Sequence, residues 1–249
     1  RVESLTGGQA IRQLAFKKIG ERNFNDAVFN TWGASGLAAV WAEENTRDSI
    51  FDAFRRKETY ATSGSRIKLR FFGGYDLDAT MLEKEDLIKE AYRKGVPMGQ
   101  DLAPSEGKAP SFLIWAMRDK NAAPLQRVQI IKGWVEQTTG RPFEEVIDVA
   151  CSDGLTPDPL TNRCPDNGAL VDISDCSISS DRGTNEIKTV WTDESFDSAV
   201  KSFYYVRVLE NPSCRWSTWD AVKNGTKPRE DLKQTIQERA WSSPIWYSY

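Results

Sequence analysis

Between Gly36 and Gly74 the apolar positions follow two different periods. Leu37, Ala39 and Trp41 alternate with smaller residues, and Asn45 and Thr46 then supply side-chain oxygens able to cap a helix. Ile50, Phe51 and Phe54 recur at helical spacing, with Asp48, Arg55, Arg56 and Lys57 on the solvent side, until Ser63-Gly64-Ser65 breaks the pattern. Ile67, Leu69 and Phe71 next alternate with Arg66, Lys68 and Arg70 as far as Gly73-Gly74, the period of a half-buried strand with a basic outer face. The block reads as strand, helix, turn and strand.

The same rules divide the rest of the chain. Gln9 to Ile19 is expected to be an amphipathic helix through Ile11, Leu14, Ala15 and Ile19, preceded by Gly7-Gly8, so that a zone from Arg1 to about Gly64 is mostly helical. A second zone, to about Val149, predicts strands near Ile67 to Phe72, Phe112 to Met117 and Val128 to Val135, with a helix-like insertion at Lys84 to Lys94. Its turns fall at Gly73-Gly74, Asn121 to Pro124 and Thr139-Gly140. The third zone adds a cysteine-bearing loop, a strand at Ser202 to Leu209 and a closing strand in WSSPIWYSY whose Trp241, Ile245 and Tyr247 should face inward. Together the second and third zones predict a β-rich, sandwich-like region.

Composition narrows the function. With 249 residues, 39% hydrophobic and 28% charged, the chain can bury a substantial core. No stretch approaches the roughly 20 apolar residues of a membrane span. The net charge is -3 with basic residues scattered, which argues against a nucleic-acid footprint. Four cysteines, Cys151, Cys164, Cys176 and Cys214, are spaced by 13, 12 and 38 residues and form no C-x-x-C pair. Disulfides tying down the Pro/Asn/Asp/Gly-rich loop from Ser152 to Gly168 are the better reading, and three pairings are open. Cys151 with Cys176 and Cys164 with Cys214 is preferred, because Cys151 and Cys176 end apolar runs that could be neighbouring strands. An even count in such a loop favours an oxidising compartment.

There is no histidine. That matters because AVWAEENTRDSIFDAFRRKETYATSG, SFLIWAMRDKNAAPLQRVQIIKGWV (Ser111 to Val135), VWTDESFDSAVKSFYYVRVLENPSCRWSTWDA (Val190 to Ala221) and IQERAWSSPIWY (Ile236 to Tyr247) together resemble a large bacterial family. It is a domain-of-unknown-function family related to the PHP (polymerase and histidinol phosphatase) metal-dependent phosphoesterases. The resemblance implies an α/β fold, α+β for this chain in isolation, with residues 1-64 as the last strand-helix unit of a distorted PHP-like barrel and residues 65-249 as a β-rich domain. It also implies a hydrolase of phosphoester or related ester bonds with a small anionic ester as substrate, for which the cysteines favour the periplasm or cell exterior. The HxH and D-x-H motifs that would bind zinc, manganese or iron are missing here, so the metal would belong to the complete protein and not to this chain alone. An N-terminal segment of the same precursor is then the expected partner.

Several side chains are candidates for such a pocket. Glu43 and Glu44 end a strand, where barrel enzymes collect functional groups, although first-turn acids also suit a helix dipole. Thr62, Ser63 and Arg66 surround a Ser-Gly turn that could cradle a phosphate or sulfate, although the turn by itself explains Ser and Gly. Arg215 beside Trp216 and Trp219 could line a pocket for an anionic or aromatic ligand, and the tryptophans could equally be core. Asp193, Glu194 and Asp197 read as a solvated turn. Serine and cysteine nucleophile schemes lack their usual histidine base. The alternative function is a non-catalytic β-rich structural or binding module.

Overall fold

A computed structural model describes residues 16–19, 22–25, 33, 35–105 and 107–248. In chain order the elements are β1 (Phe16–Ile19), β2 (Arg22–Asn25), β3 (Leu37–Val40), α1 (Arg47–Arg55), β4 (Thr59–Thr62), β5 (Lys68–Gly74), a 3₁₀ turn (Ala79–Glu83), α2 (Leu87–Lys94), β6 (Gly95–Pro97) and β7 (Asp101–Leu102). There follow β8 (Ser111–Met117), β9 (Leu125–Val135), β10 (Pro142–Cys151), β11 (Glu186–Thr192), β12 (Ser202–Glu210), β13 (Ser213–Cys214), α3 (Trp216–Lys223), β14 (Thr235–Ile236), β15 (Arg239–Ser242) and β16 (Ile245–Tyr247).

The architecture is α+β. An eight-stranded sheet runs β10-β9-β12-β15-β4-β3, with β16 also on β12 and β7 on β16, and a four-stranded sheet runs β11-β8-β5-β6. Apart from β7 with β16, the pairings are antiparallel. The sheets face each other across one core, to which β5 gives Leu69 and Phe71, β8 Phe112 and Ile114, β9 Val128 and Ile130, and β12 Tyr204, Val206 and Val208. Each such side chain contributes about 1.5–3 kcal/mol relative to exposure. A second cluster, Phe72, Leu77, Met81, Leu87, Ala91 and Leu113, seats α2 on the outer face of the smaller sheet. The predicted insertion at Lys84 to Lys94 is thus the third layer, and β5 is covered on both sides.

The described residues close no barrel. β3 and β4 run antiparallel, and β4 pairs with β15, so the strand-helix block extends the eight-stranded sheet. Thr46 caps α1 by accepting the Ser49 N–H at 3.3 Å, and Lys57, with a left-handed φ of 59°, reverses the chain into β4. The block is clamped to the smaller sheet as well. Trp41 Nε1 donates to the Leu69 carbonyl at 2.7 Å, the Arg70 guanidinium lies 3.4 Å over the Trp41 ring, and buried Glu58 accepts from Arg70 (3.4 Å) and from the Tyr92 hydroxyl. Burial and Glu58 push that phenol up to about 12.

Three expectations are corrected. Phe16–Ile19 is a strand paired with Arg22–Asn25, because a cross-strand ladder outweighs modest helix propensity; residues 9–15 of the expected helix lie outside the described residues. The terminal aromatic segment is two strands interrupted at Ser243-Pro244, where proline offers no N–H. That break shifts the phase, so Ala240, Ser242, Ile245 and Tyr247 are buried while Trp241 is only half-buried. The disulfides are Cys151–Cys164 and Cys176–Cys214, with Cα separations of 5.7 and 5.6 Å. Cys176 ends no strand; it sits in a loop with φ 62°. After β10 the chain doubles back, with the Asp148 N–H on the Asn162 carbonyl (2.9 Å) and the Cys164 N–H on the Asp148 carboxylate (2.7 Å), returning Cys164 to Cys151.

Candidate functional site

Strands alternate their side chains, so β9 sends Val128, Ile130, Lys132 and Trp134 toward the core and places an ammonium inside the sandwich. The chain leaving β11 brings Asp193 to meet it. Lys132 Nζ lies 2.6 Å from Asp193 Oδ2, and their side chains are 9% and 0% exposed. Tyr204 of β12 donates its hydroxyl to the same Oδ2 at 2.7 Å, and Ser195 donates both its N–H (3.1 Å) and its hydroxyl (2.9 Å) to Oδ1. Lys132 also reaches the carbonyl and hydroxyl oxygens of Ser195, each at 3.4 Å. Burial, then the Asp193 charge, pushes the Tyr204 phenol far up, which keeps it a donor.

Lys132, Asp193 and Ser195 of this set line two adjoining hollows. One, of about 300 Å³, is lined by Trp134, Glu145, Phe196 and Asp197; the other, of about 540 Å³, by Glu145, Asn162, Trp191 and Glu194, and Ser195 borders both. The Ser195 hydroxyl donates to Asp193, and the imidazole that usually serves a serine nucleophile is absent from the chain. Glu145, Glu194 and Asp197 give the rim negative charge, which disfavours an anion.

The residues anticipated from sequence do not gather there. Glu43 and Glu44 are exposed ahead of α1, where the Glu44 N–H donates to Ser49 Oγ at 3.3 Å. Thr62, Ser63 and Arg66 do share the β4–β5 turn, where two of its donors meet the chain's own carboxylates and the Arg66 side chain is exposed. The Ser63 hydroxyl donates to Glu238 and the Arg66 N–H to Asp119 at 2.9 Å. Those bonds from the Asn121 and Arg66 backbones hold Asp119 below the usual carboxylate range. Arg215 is buried at the head of α3 with its N–H on the Gln234 carbonyl, next to Cys214 of the second disulfide. Trp219 of α3 is 40% exposed, with Lys223 Nζ 5.4 Å from its ring. Asp193 is wholly buried, which corrects its reading as part of a solvated turn. The burial follows from phase, since Ile187, Trp191 and Asp193 fall on one side of β11 and its extension. A charge on the inward phase of a strand was the available signal, at Lys132 and again at Glu210 of β12.

Fold and cleft define a disulfide-linked α+β protein built on a two-sheet β-sandwich. None of its helices among the described residues is long and apolar enough to cross a membrane. The family model described as "Protein of unknown function (DUF3604)" matches residues 6–249, and the chain belongs to that family. No curated protein and no solved structure matches it.

Proposed function

We propose that this chain is the non-catalytic, β-rich portion of a larger metal-dependent hydrolase acting on phosphoester or related ester bonds in the periplasm or outside the cell. The metal ligands, and the PHP-like barrel that would carry them, would come from polypeptide ahead of it. One observation carries the reading. On α1, Phe51 and Phe54 are 60% and 52% exposed, with Leu37 of the neighbouring edge strand at 42%, an apolar face of the kind that other polypeptide covers. Oxidised cysteines suit the compartment.

The residues present do not fit a zinc, manganese or iron site. Imidazole is absent from the chain, all four cysteines are spent in disulfides, and no three metal-ligating side chains among the described residues are grouped to hold an ion. The acidic rim of the cleft likewise suits a small anionic ester poorly, so that substrate would be met mainly by the other polypeptide. What this chain supplies is the rigid sandwich and a cleft that binds without activating. The alternative, a binding or structural module with no hydrolytic partner, draws on the same closed charge set.

The test compares this chain with a version extended by the coding sequence that precedes it, assaying bound metal and hydrolysis of an aryl phosphate. The extended protein is expected to hold metal and turn over, and this chain to do neither. Turnover by this chain alone would overturn the proposal, and an inert, metal-free extended protein would leave the module reading in its place.

A further inference from the structure

A different polar group in the interior has no partner. Glu210, at the end of β12, is 1% exposed and its Oε1 makes no hydrogen bond; Ser65 Oγ, 9% exposed as a residue, is equally unpaired. The two meet at the corner where the chain crosses from one sheet (β4) to the other (β5). The backbone of Glu210 is pinned there, its N–H on the Glu238 carbonyl at 2.9 Å and its carbonyl accepting from Gln237 Nε2 at 3.0 Å. Three charged groups lie around the side chain. Glu238 comes from the approach to β15, Asp119 from the end of β8, and the cation nearby is Arg118, whose guanidinium is already spent on Asn185 and on the carbonyls of Asp119, Lys120 and Ala122.

We propose that Glu210 is a proton-operated latch on this corner: neutral, it lets the β4–β5 turn seat against β12 and β15, and ionised, it forces that turn open. A third negative charge beside Glu238 and Asp119, shielded from water and with only the Ser65 hydroxyl and the engaged Arg118 near enough to ease it, is costly, and opening the corner is the way to hydrate it. The bonds that opening breaks are few and identifiable. They are Ser63 N–H to the Arg239 carbonyl (2.9 Å), Arg239 N–H to Ser63 Oγ (2.8 Å) and Arg66 N–H to Asp119 (2.9 Å). The turn also abuts the start of β3, since a Cβ on Gly36 would lie 2.5 Å from the Thr62 carbonyl oxygen. Opening therefore loosens the entry to the strand-helix edge.

Burial, opposed by Ser65 and reinforced by Glu238 and Asp119, pushes the Glu210 carboxyl up to about 7. A released glutamate titrates near 4.3. The closed form therefore binds the extra proton between those values, and the latch is firm below about pH 4.3, weakens as pH rises, and reaches its open-prone limit above about 7.

The experiment is amide exchange, corrected for intrinsic rates, at Ser63, Arg66 and Arg239 of the whole chain, with amides of β8 and β11 as reference. Protection of the three should fall by about tenfold per pH unit between roughly pH 5 and 7 and then level, while the reference strands hold. Glu210→Gln should abolish the slope. Should that variant not fold, Glu238→Gln decides, because removing a neighbouring charge must move the levelling point to lower pH. A flat profile in the parent, an unchanged slope in Glu210→Gln, or an unmoved levelling point in Glu238→Gln would each overturn the latch.

Discussion

Where the two sheets face each other, even the charge is matched: Lys132, Asp193 with Ser195, and Tyr204 close on one another from three stretches of chain. At the β3–α1–β4 edge the reverse holds, and Phe51 and Phe54 stand more than half exposed on a helix whose one fully buried side chain is Ala53. Around Lys132 the interior has finished its contacts within this chain, whereas α1 has used its backbone and caps and left its apolar stripe in water. An amphipathic helix owes most of its stability to the face it buries, so α1 is the element most dependent on what lies against it.

The sharpest way to break the contrast is to unbalance the interior. Lys132→Met would leave Asp193 buried with two hydroxyl donors and no cation, and should cost about 3–5 kcal/mol in denaturant unfolding. A loss under about 1 kcal/mol would mean that the ion pair is exposed in solution. Next comes the Cys176–Cys214 crosslink, which spans 38 residues and fastens a poorly packed loop to β13. Replacing both cysteines by serine should cost about 2–4 kcal/mol, read as a lower midpoint with a changed slope. The smallest effect belongs to the edge. Phe51→Ser with Phe54→Ser should shift the stability of this chain by about 1 kcal/mol or less, because little burial is lost, yet on the proposed function should abolish the association proposed there.

Much of the sandwich was legible. The first half of β5 and most of β12 alternate because one face is core, β8 and β9 read as apolar-rich strands bounded by turns, and Thr46 marks the head of α1 by its side-chain chemistry. β10 and β11 are edge strands, half-covered along most of their length, with Glu144 and Glu145 side by side in β10, so burial imposes no sharp pattern on them. The cleft was legible only in part. Lys132 and Glu210 break the apolar phase of their strands, which flags a buried charge, but the partner of each comes from remote segments that alternation does not locate. Cysteine pairing depends on the reversal after Cys151, which hangs on the two contacts of Asp148 and has no signature in spacing. The Ser63–Arg66 turn was correctly placed, and within it the Ser63 hydroxyl meets Glu238 and the Arg66 N–H meets Asp119.

The claim that α1 is a seat for polypeptide ahead of this chain is tested most directly by amide exchange across residues 47–55, in this chain and in the version extended at its N-terminus. The account predicts fast exchange here, near the limit of local fraying, and slowing by at least about tenfold in the extended protein, with the β8 and β9 amides unchanged. Equal exchange of α1 in both proteins would contradict it.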